Sequence, residues 1–467
     1  MTARMFTQRD LEAFARVSGD HNPIHVDAVA ARRLLFGGAI THGVYALLWV
    51  LDEVAGQRDG EARVVSLRAR FQKPIPVEAP VEMVVARSSS DAVSVRLELS
   101  GARVATVKVG FAAGRPDGPD VPDGCPPAGA PAVLSIDQAV GAAGSVDLRL
   151  DRALLQELFP RVLEVLAPAQ AAALLASTRV VGMECPGEHS IYAELDCEFA
   201  SAEAAAPMTY SVVDHDPRFA RVGMELEAAG VRGRATAFFR PPPQAQLALD
   251  RVDGVADGEF AGQRALVVGG SRGLGEVVAK ALAAGGASIA VTYFHGEQDA
   301  GKLVGEIASR GREAASLRWN VLDDPPDLRS ALPPGWTPTH MYYLASPHIG
   351  SSSGFSDELF SKFCDYYVAG FVKTVDAVLS LDVDRLDVLY PSSVFVDDEP
   401  AGMAEYVAAK RAGEAACEDL SRQHANLRVI TPRLPRMATD QTQSMLGEES
   451  PDPLPTMLGE LRRLRDL

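Results

Sequence analysis

The sequence predicts an α+β region built twice on one plan, a helix wrapped by antiparallel strands, followed by an α/β domain with a doubly wound parallel sheet. Three observations carry this reading. The chain of 467 residues exceeds what one hydrophobic core supports, so two or three domains are expected. Segments 1–115 and 132–240 each open on a helical apolar pattern and continue in runs of period two. Across 260–467, short apolar runs of strand length alternate with helical stretches, the pattern of parallel strands covered by helices on both faces.

In the first segment Leu11, Phe14, Ala15 and Val17 repeat at helical spacing, a loop containing Gly, Asn and Pro follows, and a second apolar helix is expected at about 43–54. Alternating runs at 64–72, 81–88, 93–99 and 104–112 read as antiparallel strands. Residues 114–131, GRPDGPDVPDGCPPAGAP, hold almost no large apolar side chain and read as a linker. The second segment places a helix at 154–173 and strands at 177–182, 190–199, 208–213, 221–229 and 231–240. PPPQAQ at 241–246 opens a second break that runs to about 262. In the third segment strands are expected at 265–268, 288–292, 341–345, 386–390 and 427–431, with helices at 274–284, 298–310, 357–380 and 403–424.

Apolar residues make up 47% and charged residues 23%, the balance of a soluble globular protein. A net charge of −17 excludes nucleic acid as the main partner, because phosphate binding needs a basic face. The five cysteines (Cys125, Cys185, Cys197, Cys364, Cys417) show no CxxC pair and no metal-like spacing, so free thiols in a reducing compartment are expected and no metal. The start, MTARMFTQRD, lacks the apolar core of a signal peptide. The longest apolar candidate, around 39–51, is broken by His42 and Gly43 and is too short to span a membrane. A cytoplasmic protein without a membrane partner is expected.

Residues 18–27 read SGDHNPIHVD, and His42-Gly43 stand at the start of the next helix. Asp20 and His25, five apart in a proline-containing loop, can converge on one water molecule, with Asn22 and Pro23 shaping the loop. This run resembles the hydratase 2 motif of MaoC-like (R)-specific enoyl-CoA hydratases, and RVVSLRARFQKPIPV at 63–77 resembles that family's strand leading into a Phe-x-Lys-Pro turn. The resemblance covers about 110 residues. It implies a hot-dog fold in which Asp20 and His25 hold and activate water and manage the α-carbon proton of an unsaturated thioester. A backbone N–H near Gly43, at a helix N-terminus, would stabilise the enolate oxygen. Asp27, His21 and His42 are read as structural or edge-of-site residues, and His189 and His215 as strand or turn residues. The second segment lacks Asp and His at the motif spacing and resembles a second, degenerate hot dog that helps enclose the acyl chain. Together the two make a double hot-dog region.

The run VVGGSRGLGE at 267–276 follows an expected strand and opens an expected helix. Gly269 permits the tight turn, Gly273 lets backbone approach a pyrophosphate, and Gly275 allows close helix–strand packing, while the helix N-terminus favours an anion. The GxxxGxG spacing, Tyr406 and Lys410 in YVAAK, and Ser393 thirteen residues before Tyr406 together resemble the short-chain dehydrogenase/reductase family over about 200 residues. That resemblance implies a Rossmann-like domain with Tyr406 as general acid/base, Lys410 lowering the phenol pKa and contacting the nicotinamide ribose, and Ser393 polarising a carbonyl. Ser271, Arg272 and Leu274 complete the cofactor turn. The second strand ends Tyr293-Phe294-His295 without the acidic residue of an NAD enzyme, and Arg272 can meet a 2′-phosphate, so NADPH is expected over NAD. The sequence departs from the family at Leu344-Ala345-Ser346-Pro347, where NNAG is usual, at about Tyr367, where the tetrad asparagine falls, and at Pro432-Arg433 in place of PG.

The two chemistries are consecutive. The expected function is a 3-ketoacyl thioester reductase joined to a 3-hydroxyacyl thioester dehydratase, acting on acyl-CoA or acyl-carrier-protein substrates in fatty-acid, polyketide or related synthesis, as a homodimer. The competing readings are hydration and oxidation in the degradative direction, and a largely non-catalytic scaffold that binds NADP and a thioester.

Overall fold

The structure, a computed structural model, describes residues 2–58, 60–350, 354–445 and 450–467. Its described chain forms two compact units, the first made of residues up to Pro243 with a short later segment that begins at Ser444, and the second of the rest from Gln244 onward.

The first unit contains β1 (Thr2–Met5), β2 (Ala62–Phe71), β3 (Pro80–Ser88), β4 (Ala92–Leu99), β5 (Ala102–Ala113), β6 (Ala143–Val146), β7 (Ser190–Phe199), β8 (Met208–Asp216), β9 (Arg221–Ala228) and β10 (Val231–Phe239). They form one sheet in the order β1-β3-β4-β5-β2-β7-β10-β9-β8-β6. The order on one side of the β2/β7 seam mirrors that on the other, so each half is the same element order run outward from the seam. The seam is antiparallel, pairing Ser66 with Glu198 and Arg70 with Glu194. The helices Gly43–Ala55 and Pro168–Arg179 lie against this sheet and are apolar almost all round, and a helix without a polar face has to be enclosed. Their side chains, with Leu67, Val95, Leu195 and Ala235 from the strands, make one continuous core across both halves.

Several elements differ from the sequence expectation, each for a local reason. The helix expected at 154–173 is three pieces, Arg152–Leu158, Val162–Val165 and Pro168–Arg179. Pro160 forces Phe159 out of the helical region, and Pro168 starts a new helix at its first position. The strand expected at 177–182 is instead the end of the third helix and a π-helix, Val180–Glu184. Its β-branched residues are buried among helices, where packing overrides strand propensity. Residues 114–131 carry no helix of their own, yet they bury Val121 and bridge Asp123 to Leu150.

The second unit contains β11 (Arg264–Val268), β12 (Ser288–Tyr293), β13 (Ala314–Arg318), β14 (His340–Tyr343), β15 (Leu386–Leu389), β16 (Ser392–Ser393), β17 (Leu427–Ile430) and β18 (Arg433–Leu434). Six form a parallel sheet in the order β13-β12-β11-β14-β15-β17, with cores on both faces. The edge strand β13 escapes the apolar pattern because only half of it is covered. The helix expected at 357–380 is continuous but has a π-helical turn, Asp365–Gly370, in its middle. The chain order reverses direction between β12-β11 and β14, and ligands of doubly wound sheets bind at the carboxyl ends of the strands beside such a switch.

Candidate functional sites

In the first unit the helix Gln8–Ser18 stops at Gly19, which takes a left-handed φ of 77° and caps Ala15. This reversal sends Asp20 inward, where it is 1% exposed. Asn22 caps the one-turn helix Pro23–Val26 by accepting from the Ile24 amide, and its own amide nitrogen donates to the carbonyls of Gly182, Gly187 and Glu188 at 2.9–3.1 Å. That turn carries His25. Its Nδ1 lies 2.7 Å from the Ile40 carbonyl, which can only accept, so Nδ1 holds the proton and Nε2 presents a lone pair.

Burial pushes the Asp20 carboxyl above its ordinary value and the His25 imidazole below its own. Each opposes the other's shift, and Thr178 and Asn22 donors also favour the Asp20 anion. A carboxyl raised and an imidazole lowered in this way come closer in proton affinity and can exchange roles as acid and base. His42 sits at the N-terminus of helix Gly43–Ala55, stacked on His25 with ring centres 3.8 Å apart and donating from Nε2 to the Asp20 carbonyl. Burial holds it well below the usual histidine range, so it is neutral. Ligating atoms of Asp20, His25 and His42 lie within 4.8 Å of one another. The two rings are tilted by only 25°, so their in-plane lone pairs run side by side and do not converge on one ion. Gly43 follows His42, and a Cβ there would meet the Phe71 ring at 2.9 Å, so the glycine lets this ring close over the helix start.

In the second unit the glycine turn leaves β11 with Gly269 at a φ of 75° and enters helix Gly273–Ala284. A Cβ on Gly275 would lie 2.3 Å from the Gly269 carbonyl oxygen, and one on Gly269 would lie 2.7 Å from the Ala345 amide after β14. The empty volume of these side chains therefore brings strand, turn and helix together, so that the turn ends at a helix N-terminus, where unpaired helix amides favour an anion. Gly275→Ala has no flexible neighbour to displace, so a loss of about 1–3 kcal/mol in stability is expected. Calorimetry, with NADPH fluorescence read in parallel, checks it.

Arg272 pairs with the buried Asp440 carboxylate at 3.1 Å, a partner that the sequence did not indicate. At the end of β12, Phe294 packs against His295, and the Arg318 guanidinium from the end of β13 lies over the same ring at 5.6 Å.

Ser393, Tyr406 and Lys410 gather at the carboxyl end of β15, with Tyr406 and Lys410 on the helix Ala404–Gln423 and all three less than a tenth exposed. Tyr406 hydrogen-bonds Ser393, and burial still pushes its phenol up to about 12. Lys410 donates to the Pro391 carbonyl at 2.8 Å and lies 3.9 Å above the Tyr367 ring. Burial brings its ammonium down to about 7. The expected lowering of the phenol by Lys410 is therefore not seen in this arrangement, where the ammonium faces Tyr367 more closely than Tyr406. The Tyr367 hydroxyl meets Ser346 at 2.7 Å, so the two departures from the reductase pattern contact each other.

With these geometries in place, comparison with known proteins adds the following. Residues 2–108 match the family described as MaoC like domain. The N-terminal domain is MaoC-like. It contains Asp20, Asn22, His25, His42 and Gly43. Over 83 residues the chain is 35% identical to 3-hydroxyacyl-thioester dehydratase X of Mycobacterium tuberculosis, covering 17% of this chain and 28% of that protein. Over 62 residues it is 42% identical to a versicolorin reductase of Emericella nidulans, covering 13% and 24%. A solved short chain dehydrogenase from Burkholderia cenocepacia in complex with NADP is similar at a TM-score of 0.39 and 21% identity, over 44% of this chain and 91% of that one. The chain thus spans about a quarter of the length of these two curated relatives. Among the described residues, no helix is long and apolar enough to cross a membrane.

The MaoC-like domain brings Asp20, Asn22, His25 and the start of the Gly43 helix to one place, as its motif implied, and adds His42 to the centre of the site. What the motif did not contain is Thr178 and Gly182, which approach Asp20 from the other half of the sheet. No local signal marks them, because they lie about 160 residues away and in a segment whose pattern reads as a strand.

Proposed function

We propose that the chain is a bifunctional 3-ketoacyl thioester reductase and 3-hydroxyacyl thioester dehydratase. The observation that carries this reading is the pairing of buried Asp20 with half-buried His25, in which carboxyl and imidazole are pushed toward each other in pKa within a domain of MaoC type. In the dehydration direction one member of the pair takes the α-proton while the other gives a proton to the departing hydroxyl, and the elements of water leave from adjacent carbons. The first amides of the Gly43 helix have no acceptor within the helix and would receive the enolate oxygen. The mirrored element order supports a double hot dog spanning about 1–115 and 132–240, its second half degenerate in the catalytic motif.

The glycine cradle of Gly269, Ser271, Arg272, Gly273, Leu274 and Gly275 fits a dinucleotide pyrophosphate, and NADPH bound there would supply hydride to a substrate carbonyl. Ser393 would orient that carbonyl, Tyr406 would deliver the proton from its hydroxyl, and Lys410 would hold the ribose. Two cations, Arg272 and Arg318, near the adenosine end and no acid at the end of β12 favour NADP. Arg272→Ala is expected to weaken NADPH binding about tenfold or more and NADH binding by less, because only NADPH also loses a charge-assisted bond to its 2′-phosphate. Titration of nucleotide fluorescence measures both.

The test of the whole reading is product analysis by mass spectrometry with 3-ketoacyl thioesters of CoA and of carrier protein. With NADPH, 3-hydroxyacyl and then 2-enoyl products are expected; neither product with either carrier overturns the proposal. The scaffold reading has one specific observation behind it, the replacement of the usual asparagine by Tyr367 against Lys410. It predicts NADPH binding without turnover.

A further inference from the structure

The Asp20 carboxylate is held from the opposite half of the sheet. Thr178, on the last turn of helix Pro168–Arg179, donates its hydroxyl to Asp20 Oδ2 at 2.7 Å, and Thr178 is only 3% exposed. Two residues on, the helix passes into the π-helical turn Val180–Glu184, and Gly182 in that turn lies directly beneath the same carboxylate. A Cβ on Gly182 would stand 2.3 Å from Oδ1 and 2.7 Å from Oδ2. The Gly182 carbonyl also accepts from Asn22, so one turn of the second half grips both the carboxylate and the residue that shapes its loop.

These contacts are unlike a chance meeting of buried groups. A hydroxyl in an apolar helix ordinarily satisfies itself on the carbonyl one turn back, as Ser177 does on Leu174. Thr178 instead spends its proton on a carboxylate that reaches it from the other half. We propose that Thr178 is a positioning residue for Asp20, and that the half lacking the catalytic motif completes the hydration site by supplying the donor and the glycine floor on which the carboxylate rests. The inference deepens the dehydratase reading and rests on it.

The donated hydrogen bond favours the ionised carboxylate, while burial opposes it. The charged and titratable groups around Asp20 are His21 and His25 on its own loop, His42 at the Gly43 helix start and Arg179 beside Thr178, with Arg240 after β10 acting through His25. The Arg179 guanidinium donates to the Asp147 carbonyl and the Arg240 guanidinium to the Glu188 carbonyl.

The experiment is hydration of crotonyl-CoA by the full chain across pH, for wild type, Asp20→Asn, Thr178→Val and Thr178→Ser. Valine keeps the shape of threonine and removes the donor. The acid limb of kcat/KM in Thr178→Val is expected to move up by about one to two pH units, with a loss of about tenfold at the old limb and little change at high pH. Serine is expected to restore the wild-type profile. If wild type hydrates and Asp20→Asn does not, but the Thr178→Val profile stays in place, the Thr178 assignment falls and the dehydratase reading stands. A loss uniform over pH that serine fails to repair marks a merely structural role and also overturns it. Absence of hydration in wild type overturns the dehydratase reading and this role with it.

Discussion

Asp20→Asn is expected to lower hydration of a 2-enoyl thioester by about 10²–10⁴-fold, the usual contribution of a positioned acid or base, with the folded state intact. The substitution keeps the planar shape that fits over Gly182, so the glycine floor remains filled without a clash. Its amide oxygen still accepts from the Asn22 backbone, and the Thr178 hydroxyl can rotate to accept from the new NH₂. What disappears is a group able to take and return a proton. Stability should move the other way. The Asp20 carboxyl is raised in the folded state, so its contribution is present below the unfolded value of 3.8 and is lost as pH rises through the folded one. At neutral pH the buried anion costs the fold something, and the neutral amide removes that cost. A thermal midpoint at pH 7 equal to or above wild type, together with lost turnover, is the expected pair of results. A midpoint well below wild type would place Asp20 among structural residues instead. The acid limb of wild-type kcat/KM should accordingly lie above the ordinary carboxylate range.

Tyr406→Phe is expected to lower reduction of a 3-ketoacyl thioester by a similar factor, about 10²–10⁴-fold, while NADPH binding and hydration of crotonyl thioester persist. The ring is packed edge-on against Phe363, Tyr367 and Phe395, and phenylalanine preserves all three contacts. Only the hydroxyl and its bond to Ser393 are removed. A phenol pushed up to about 12 by burial is a competent proton donor to a developing alkoxide, but a reluctant proton acceptor. A bias toward reduction over oxidation is therefore the expected outcome. Stopped absorbance of NADPH in the forward direction and of 3-hydroxyacyl thioester oxidation in the reverse direction measures the bias. Reduction that survives the substitution, or binding lost with it, sinks the assignment of Tyr406.

Much of this was legible in the chain. SGDHNPIHVD encodes its own geometry, because Gly19 must reverse the helix and Asn22-Pro23 must start the next turn, so Asp20 and His25 end on one side of a loop of a few residues. VVGGSRGLGE is largely local: Gly269, Gly270 and Gly275 answer contacts within the same turn or with adjacent strands, while Gly273 takes a left-handed φ. The YVAAK spacing places Tyr406 and Lys410 on one helix face by periodicity alone. Where reading by pattern failed, the cause was burial from several sides. Residues 177–182 are rich in β-branched side chains and read as a strand, yet they continue a helix enclosed on every face. The strand β13 was invisible for the opposite reason, being an edge with half its side chains in solvent.

The sequence by itself determined the two motifs, their order along the chain and the side chains proposed to carry protons, since these depend on side-chain type and short spacing. Only the tertiary structure decided what surrounds them. It set Thr178 and Gly182 against Asp20, stacked His42 on His25, tied Arg272 to Asp440 and laid Lys410 on Tyr367. Each of these pairs is distant in sequence or joined through a third element, and no periodicity links them. Their effect is nevertheless first-order, because a buried charge is governed by its few nearest donors and by the water it has lost, and both are fixed only when the chain closes.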